Sequence, residues 1–253
     1  MSAEQINNEY ELSKKYDPKL ETIEGTNLVS LTPENVAIVE AMIRFDSRYR
    51  QDDSDKYSPY WLDKMGKYLK GEIKKPDFET IVENAVNKID TENSTHLNAD
   101  GVGREQISKR IQEYEKTLLG VLKNRDDGFK FIEYLSKRTE PESGSQKRGR
   151  CNISFASKFC HYACFYIFAG EDAQDNFSIY DSVVAKVLPY YLNHYRKQIK
   201  LKKEYDSSSK DYEAYSEAID AVIEASDSQI SRYGFDHLLW YYFKNKELPK
   251  YKK

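Results

Sequence analysis

The sequence predicts an all-α protein, a two-lobed helical bundle. Three observations carry that reading. Apolar residues recur at helical spacing along most of the chain, as in Phe78, Ile81, Val82, Ala85, Val86 and Ile89. Capping residues precede several of these stripes at the right offset. No strand-like alternation persists over several stretches, and no βαβ pattern or long internal repeat is present. With 253 residues the chain can bury a substantial interior, as one large domain or as two lobes sharing a core.

Residues 1–30 alternate short polar runs with isolated apolar residues and read as an N-terminal arm, partly disordered or packed on the rest. Residues 31–253 form the helical domain. Thr32-Pro33-Glu34 opens its first helix in the order N-cap, proline, acid, with Val36, Val39, Met42 and Ile43 facing inward. Ser58-Pro59 repeats that opening for a helix running to about Lys70 and closed by Gly71. Asp77 caps the helix that carries the Phe78 to Ile89 stripe. Residues 90–102, DTENSTHLNADGV, are a loop by composition. Gly101-Val102-Gly103 follows, and then an amphipathic helix with Ile107, Ile111, Tyr114, Leu118 and Leu122. The triplet fits a flexible loop, and it also fits a phosphate cradle. Phe129, Ile132 and Leu135 mark a shorter helix, and TEPESGSQKRGR, 139–150, is a linker that turns basic at its end.

After the linker, Phe155 to Phe168 is almost wholly apolar and aromatic, the pattern of a helix buried on nearly every side, with Ser154 as N-cap and Gly170 as stop. Asp181 caps a second helix, whose stripe is Val183, Val184, Val187, Leu188, Tyr191 and Leu192. One more helix lies around Tyr212 to Ala225. PYYLNHYR, 189–196, and the tyrosines at 212, 215, 233, 241 and 242 offer stacking faces for a flipped base, and equally offer packing.

A net charge of −3 supplies no global basic field, so contact with nucleic acid has to be local. Lys147, Arg148 and Arg150 are the local candidate; a solvated linker explains them as well. Met1 to Leu20 is polar and acidic, and no apolar run approaches the roughly eighteen residues that a membrane span needs. A cytoplasmic protein without a membrane partner is expected. Cys151, Cys160 and Cys164 are odd in number and fit reduced core thiols. Cys160, His161 and Cys164 share a helix face, but no fourth ligand stands nearby, so no metal site is expected.

Chemistry concentrates in 150–184. Lys158 falls in the first turn of the apolar helix, where burial and the positive helix end both disfavour an ammonium and leave a nucleophilic amine. Asp181, as N-cap, accepts backbone N–H bonds, stays ionised and points out of the helix end. An amine beside a fixed carboxylate suits attack on a carbon that passes through a cationic transition state, such as the glycosidic C1′ of a nucleotide. The same residues also fit a lysine snorkelling from a core helix and an aspartate that only caps.

SFASKF, 154–159, followed by SIYDS, 178–182, with lysine and aspartate twenty-three positions apart, resembles the helix-hairpin-helix DNA glycosylases, and among them the 8-oxoguanine DNA glycosylase group. The tail RYGFDHLLWYYFKNKELPK, 232–250, is similar to the C-terminal helix of short members that lack the extra β domain. That resemblance implies Lys158 as nucleophile, Asp181 as its assistant, and removal of a modified purine from DNA, with or without strand cleavage. It implies no metal and no cofactor. It further places Ser154, Ala156 and Ser157, with Lys147, Arg148 and Arg150, against the nucleic acid, and Phe155, His161 and Trp240 around the base. The sequence departs from the family at the hairpin, where Ser154-Phe155-Ala156 stands in place of Gly-hydrophobic-Gly. Two further readings remain: the same fold diverted to another nucleobase or nucleotide, as in a bacterial antiphage defence or nucleotide-modification system, and a non-enzymatic helical interaction protein.

Overall fold

The computed structural model describes residues 19–45, 55–97, 103–139 and 151–244. These hold ten α-helices: α1 Pro33–Phe45, α2 Ser58–Leu69, α3 Phe78–Asn93, α4 Gly103–Gln112, α5 Leu118–Lys123, α6 Arg125–Ser136, α7 Ile153–Ile167, α8 Ser182–His194, α9 Tyr212–Ala225 and α10 Arg232–Phe243. A 3-10 helix spans Asp172–Asp175, and the β pairing among the described residues is one isolated bridge, Thr22 with Val29. The protein is all-α. It divides into two compact units, a continuous one of residues 51–180 and a discontinuous one of 1–50 with 181–253.

In the continuous unit α7 is the central element, packed on α2, α3, α5, α6 and the 3-10 helix. The α3 stripe forms as the spacing predicts, with all six apolar residues buried and Asp77 accepting the Thr80 N–H at 2.8 Å. Gly66 of α2 lets Ile167 come close, since a Cβ there would lie 3.1 Å from its Cγ1. Lys70 donates to the Ile167 carbonyl at 2.9 Å, satisfying an acceptor at the C-terminus of α7.

Two boundaries differ from the sequence reading. α3 runs to Asn93, so Asp90 sits in its last turn and not in a loop. Its buried carboxylate accepts from Thr95 Oγ1 (2.5 Å), the Leu97 N–H (3.0 Å) and Arg104 Nε (2.7 Å), which ties the chain after α3 back onto the helix. The single helix expected from Ile107 to Leu122 is two, α4 and α5, with a turn between them. Glu113 in that turn accepts from the Tyr134 hydroxyl at 2.5 Å. Gly103 opens α4 where a Cβ would meet the Leu97 carbonyl oxygen at 1.9 Å. Its glycine is explained by close packing; Gly101 and Val102 lie outside the described residues.

In the discontinuous unit α10 packs on α1, α8 and α9, and α9 packs on α8. The last part of the expected arm packs here: Leu28 and Val29 are buried, as is Leu31 just after it, and the Asn35 side chain bonds both Glu21 backbone groups and the Ser30 carbonyl. Tyr191 donates to the Val29 carbonyl at 2.8 Å. Pro189 lies inside α8 and has no N–H for the Ala185 carbonyl four residues back; the Tyr205 hydroxyl donates to that oxygen at 3.1 Å.

Candidate functional site

α7 begins two residues earlier than its sequence suggested. Asn152 is the N-cap and Ile153 the first helical residue, so Ser154 lies inside the helix and Lys158 falls in the second turn. The helix-dipole field fades beyond the first turn, which weakens that part of the expected activation. Ten of its residues are buried, and the remaining five, Ser154, Lys158, Tyr162, Phe165 and Tyr166, are half-buried. Spacings of four, four and three or four put them in one stripe. Lys158 therefore stands on the single less-buried face of an otherwise enclosed helix, in line with aromatic side chains. Tyr162 on that face donates to Asn93 Oδ1 at 3.1 Å.

The opposite neighbours of Lys158 hold a second segment in place. Ser157, fully buried, donates to the Ser154 carbonyl (3.2 Å) and accepts the Tyr180 N–H (2.9 Å). One turn further on, buried His161 uses Nδ1 to donate to the Phe177 carbonyl at 2.6 Å. Burial lowers the His161 pKa, so the ring is neutral with its proton on Nδ1. Phe177 inserts its ring against Gly128 of α6, and Asn176 donates to the Leu122 and Lys123 carbonyls at 2.9 and 3.0 Å. Residues 176–180 are thus fixed at both ends, immediately before Asp181.

Asp181 caps α8 as expected, accepting the Val183 N–H at 2.7 Å, and is half-buried.

Several expected roles change. Ala156 and Ser157 are fully buried and do not present a surface to nucleic acid; Ser157 spends its hydroxyl on residues 154 and 180. Ser154, Phe155 and Ala156 form the first turn of α7 and not a hairpin. Phe155 is a core residue stacked on Phe159 (6.3 Å between centroids), and His161 is an interior positioning group. Trp240 is half-buried, with Lys244 Nζ 3.9 Å from its ring centroid. Tyr191, Tyr212 and Tyr215 are buried and pack, whereas Tyr233, Tyr241 and Tyr242 are half-buried. Lys147, Arg148 and Arg150 lie outside the described residues. Burial pushes the Cys160 and Cys164 thiols up, so both stay protonated, and Cys164 donates to the Leu122 carbonyl at 3.5 Å. No helix among the described residues is long and apolar enough to cross a membrane.

Family models, curated proteins and solved structures were compared with this chain, and none matches it.

Proposed function

We propose that the chain is a lysine-dependent glycosylase that removes a modified purine, such as 8-oxoguanine, from DNA. The observation that carries this reading is the setting of Lys158: the one lysine of α7, in the half-buried stripe of a buried helix, one residue from the serine that accepts the Tyr180 N–H just before Asp181. In the proposed reaction the neutral Lys158 amine attacks C1′. The C1′–N bond breaks, the base leaves with the bonding pair and takes up a proton, and the nitrogen loses one. Ring opening then gives a Schiff base, from which β-elimination can cleave the strand. The glycosylase resemblance assigns to Asp181 the stabilisation of the positive charge that grows at the sugar. Borohydride reduces the Schiff base to a stable amine, so wild type should be trapped on duplex DNA bearing 8-oxoguanine or an abasic site, and Lys158→Gln should not be. Equal trapping by both would refute the mechanism.

A second reading keeps the chemistry and changes the substrate to a free nucleotide or another nucleobase. It is favoured by the helical conformation of 154–156 and the burial of Ala156 and Ser157, which remove the hairpin surface expected to meet a duplex phosphate. Binding to duplex, single strand and free nucleotides at fixed salt separates the two: tight, salt-sensitive duplex binding excludes the second.

A further inference from the structure

Within the discontinuous unit, a groove of about 480 Å³ lies between the turn at 25–28 and the last turn of α8, inside the range of about 300–1,000 Å³ that small-molecule sites occupy. Its α8 wall is Tyr190, Asn193 and His194, whose spacing of three and four puts them on one helix face. Its other wall is Thr26, Asn27 and the buried Leu28. Both walls are held in place. Gly25 takes a left-handed φ of 71°, the Thr26 N–H donates to the Ile23 carbonyl at 3.0 Å, and the Ile23 N–H donates to the Leu28 carbonyl at 2.8 Å. Thr26 spends its hydroxyl inside the turn, donating to the Ile23 carbonyl at 2.8 Å and accepting the Leu28 N–H at 3.1 Å. Tyr191 ties the turn to α8 through the Val29 carbonyl.

We infer that this groove binds an adenine ring. No carboxylate, ammonium or guanidinium stands among the described residues that line it, and it sits at the C-terminal end of α8, where the helix dipole is negative and disfavours a phosphate. What it offers is an aromatic face and carboxamides. Tyr190 supplies a ring on which a base stacks. Asn27 and Asn193 are exposed, and their side chains spend no hydrogen bond on the described residues. A carboxamide presents a donor and an acceptor side by side, and so pairs with the N6 amino group and N7 of adenine. Guanine shows two acceptors at the same edge and suits Arg or Lys, whereas cytosine shows a donor and suits Asp or Glu. Tyr190, Asn193 and His194 belong to PYYLNHYR, 189–196, a stretch that the proposed chemistry leaves unused. At a rise of about 1.5 Å per residue, Asn193 lies roughly 18 Å along α8 from Asp181, so the groove is a separate site and does not rest on the glycosylase reading.

Two sources carry this ring, free adenosine and an unstacked adenine of a single strand. The probes are therefore adenosine and a single-stranded oligo-deoxyadenylate, each added to the full-length protein while the side-chain amide NMR signals of Asn27 and Asn193 are followed. Adenosine should move both signals saturably below about 10 mM, the weak range that one stacked ring and one bidentate contact provide. Guanosine, cytidine and uridine should bind roughly fivefold or more weakly. Asn193→Ala, read at Asn27, should weaken adenosine by a similar factor, and Tyr190→Ala should do so through lost stacking. Tighter binding of the oligonucleotide than of adenosine marks a single strand as the source, the reverse marks a free nucleoside, and either supports the inference. Signals unmoved at that concentration, an equal response to all four nucleosides, or unchanged adenosine binding by Asn193→Ala would overturn it. Should Tyr190→Ala fail to fold, Asn193→Ala decides alone, since that side chain is exposed. No bond is broken in this assay, so its failure leaves the Lys158 mechanism standing, and failed borohydride trapping leaves the groove standing.

Discussion

Gly128→Ala is an informative perturbation, because two elementary expectations for it have opposite signs. At an ordinary helical position the exchange stabilises by about 1 kcal/mol through backbone entropy. Here the new methyl would lie 2.1 Å from Cζ and 2.5 Å from Cε1 of Phe177. Carbon atoms settle at about 3.5–4.0 Å, so the ring has to retreat by roughly 1.5 Å. It has nowhere to go: Phe177 is fully buried and meets Phe129 edge-on at 6.2 Å. Overpacking of this kind costs about 1–3 kcal/mol. Displacing Phe177 also strains its carbonyl's bond to His161, another ~1 kcal/mol between buried groups. The clash wins, for a net loss of about 2 kcal/mol, or roughly 4–8 °C in Tm for a chain of this size. Thermal and urea unfolding measure it. Gly128→Ala combined with Phe177→Ala should destabilise less than the sum of the two single changes, since the second relieves the first. A Gly128→Ala protein as stable as wild type, or more so, would refute the packing argument for residues 176–180.

Other consequences can be checked in the same way. Asp90→Asn removes the charge that Arg104 and two further donors share and should cost about 2–3 kcal/mol in urea unfolding. Burial alone would raise the Asp90 pKa, but hydrogen bonds from Thr95, Leu97 and Arg104 hold it below the usual carboxylate value. Its contribution is therefore present above the unfolded value of about 3.9 and is lost as pH falls through the folded one. His161 behaves as a buried base with a lowered pKa, so the unfolded chain binds its proton first. Stability should fall as pH drops below about 6.5, by up to about 1.4 kcal/mol per pH unit, and His161→Gln should flatten that slope. An unchanged slope in the variant would remove His161 from the account.

The parts of this fold that sequence could reveal are those decided within a few residues. The α3 stripe, its Asp77 cap, the Thr32-Pro33-Glu34 opening and the Asp181 cap each depend on spacing along one helix, and each is present in the structure. What escaped depends on partners far along the chain. Asp90 reads as a loop residue until Arg104, fourteen positions on, is seen to neutralise it. Ser157 looked available for a ligand because its partner, Tyr180, is twenty-three residues away. Ser154 has the right chemistry for an N-cap, yet α7 starts at Ile153, where Asn152 already bonds the Ser136 carbonyl. Tyr205 carried one usable signal, since Pro189 inside a helix demands an outside donor for Ala185, but nothing local names the donor. Of the expected site, Lys158 and Asp181 keep their standing as candidates, while Ala156, Ser157, Phe155 and His161 become parts of the interior.

The identity of the nucleophile is tested most directly by mapping the trapped bond. After borohydride reduction on abasic duplex DNA, trypsin should fail to cut after a modified Lys158, leaving residues 151–186 as one peptide that carries the sugar adduct. An adduct on any other lysine or on the amino terminus, or a protein recovered without one, would contradict the claim that Lys158 attacks the sugar.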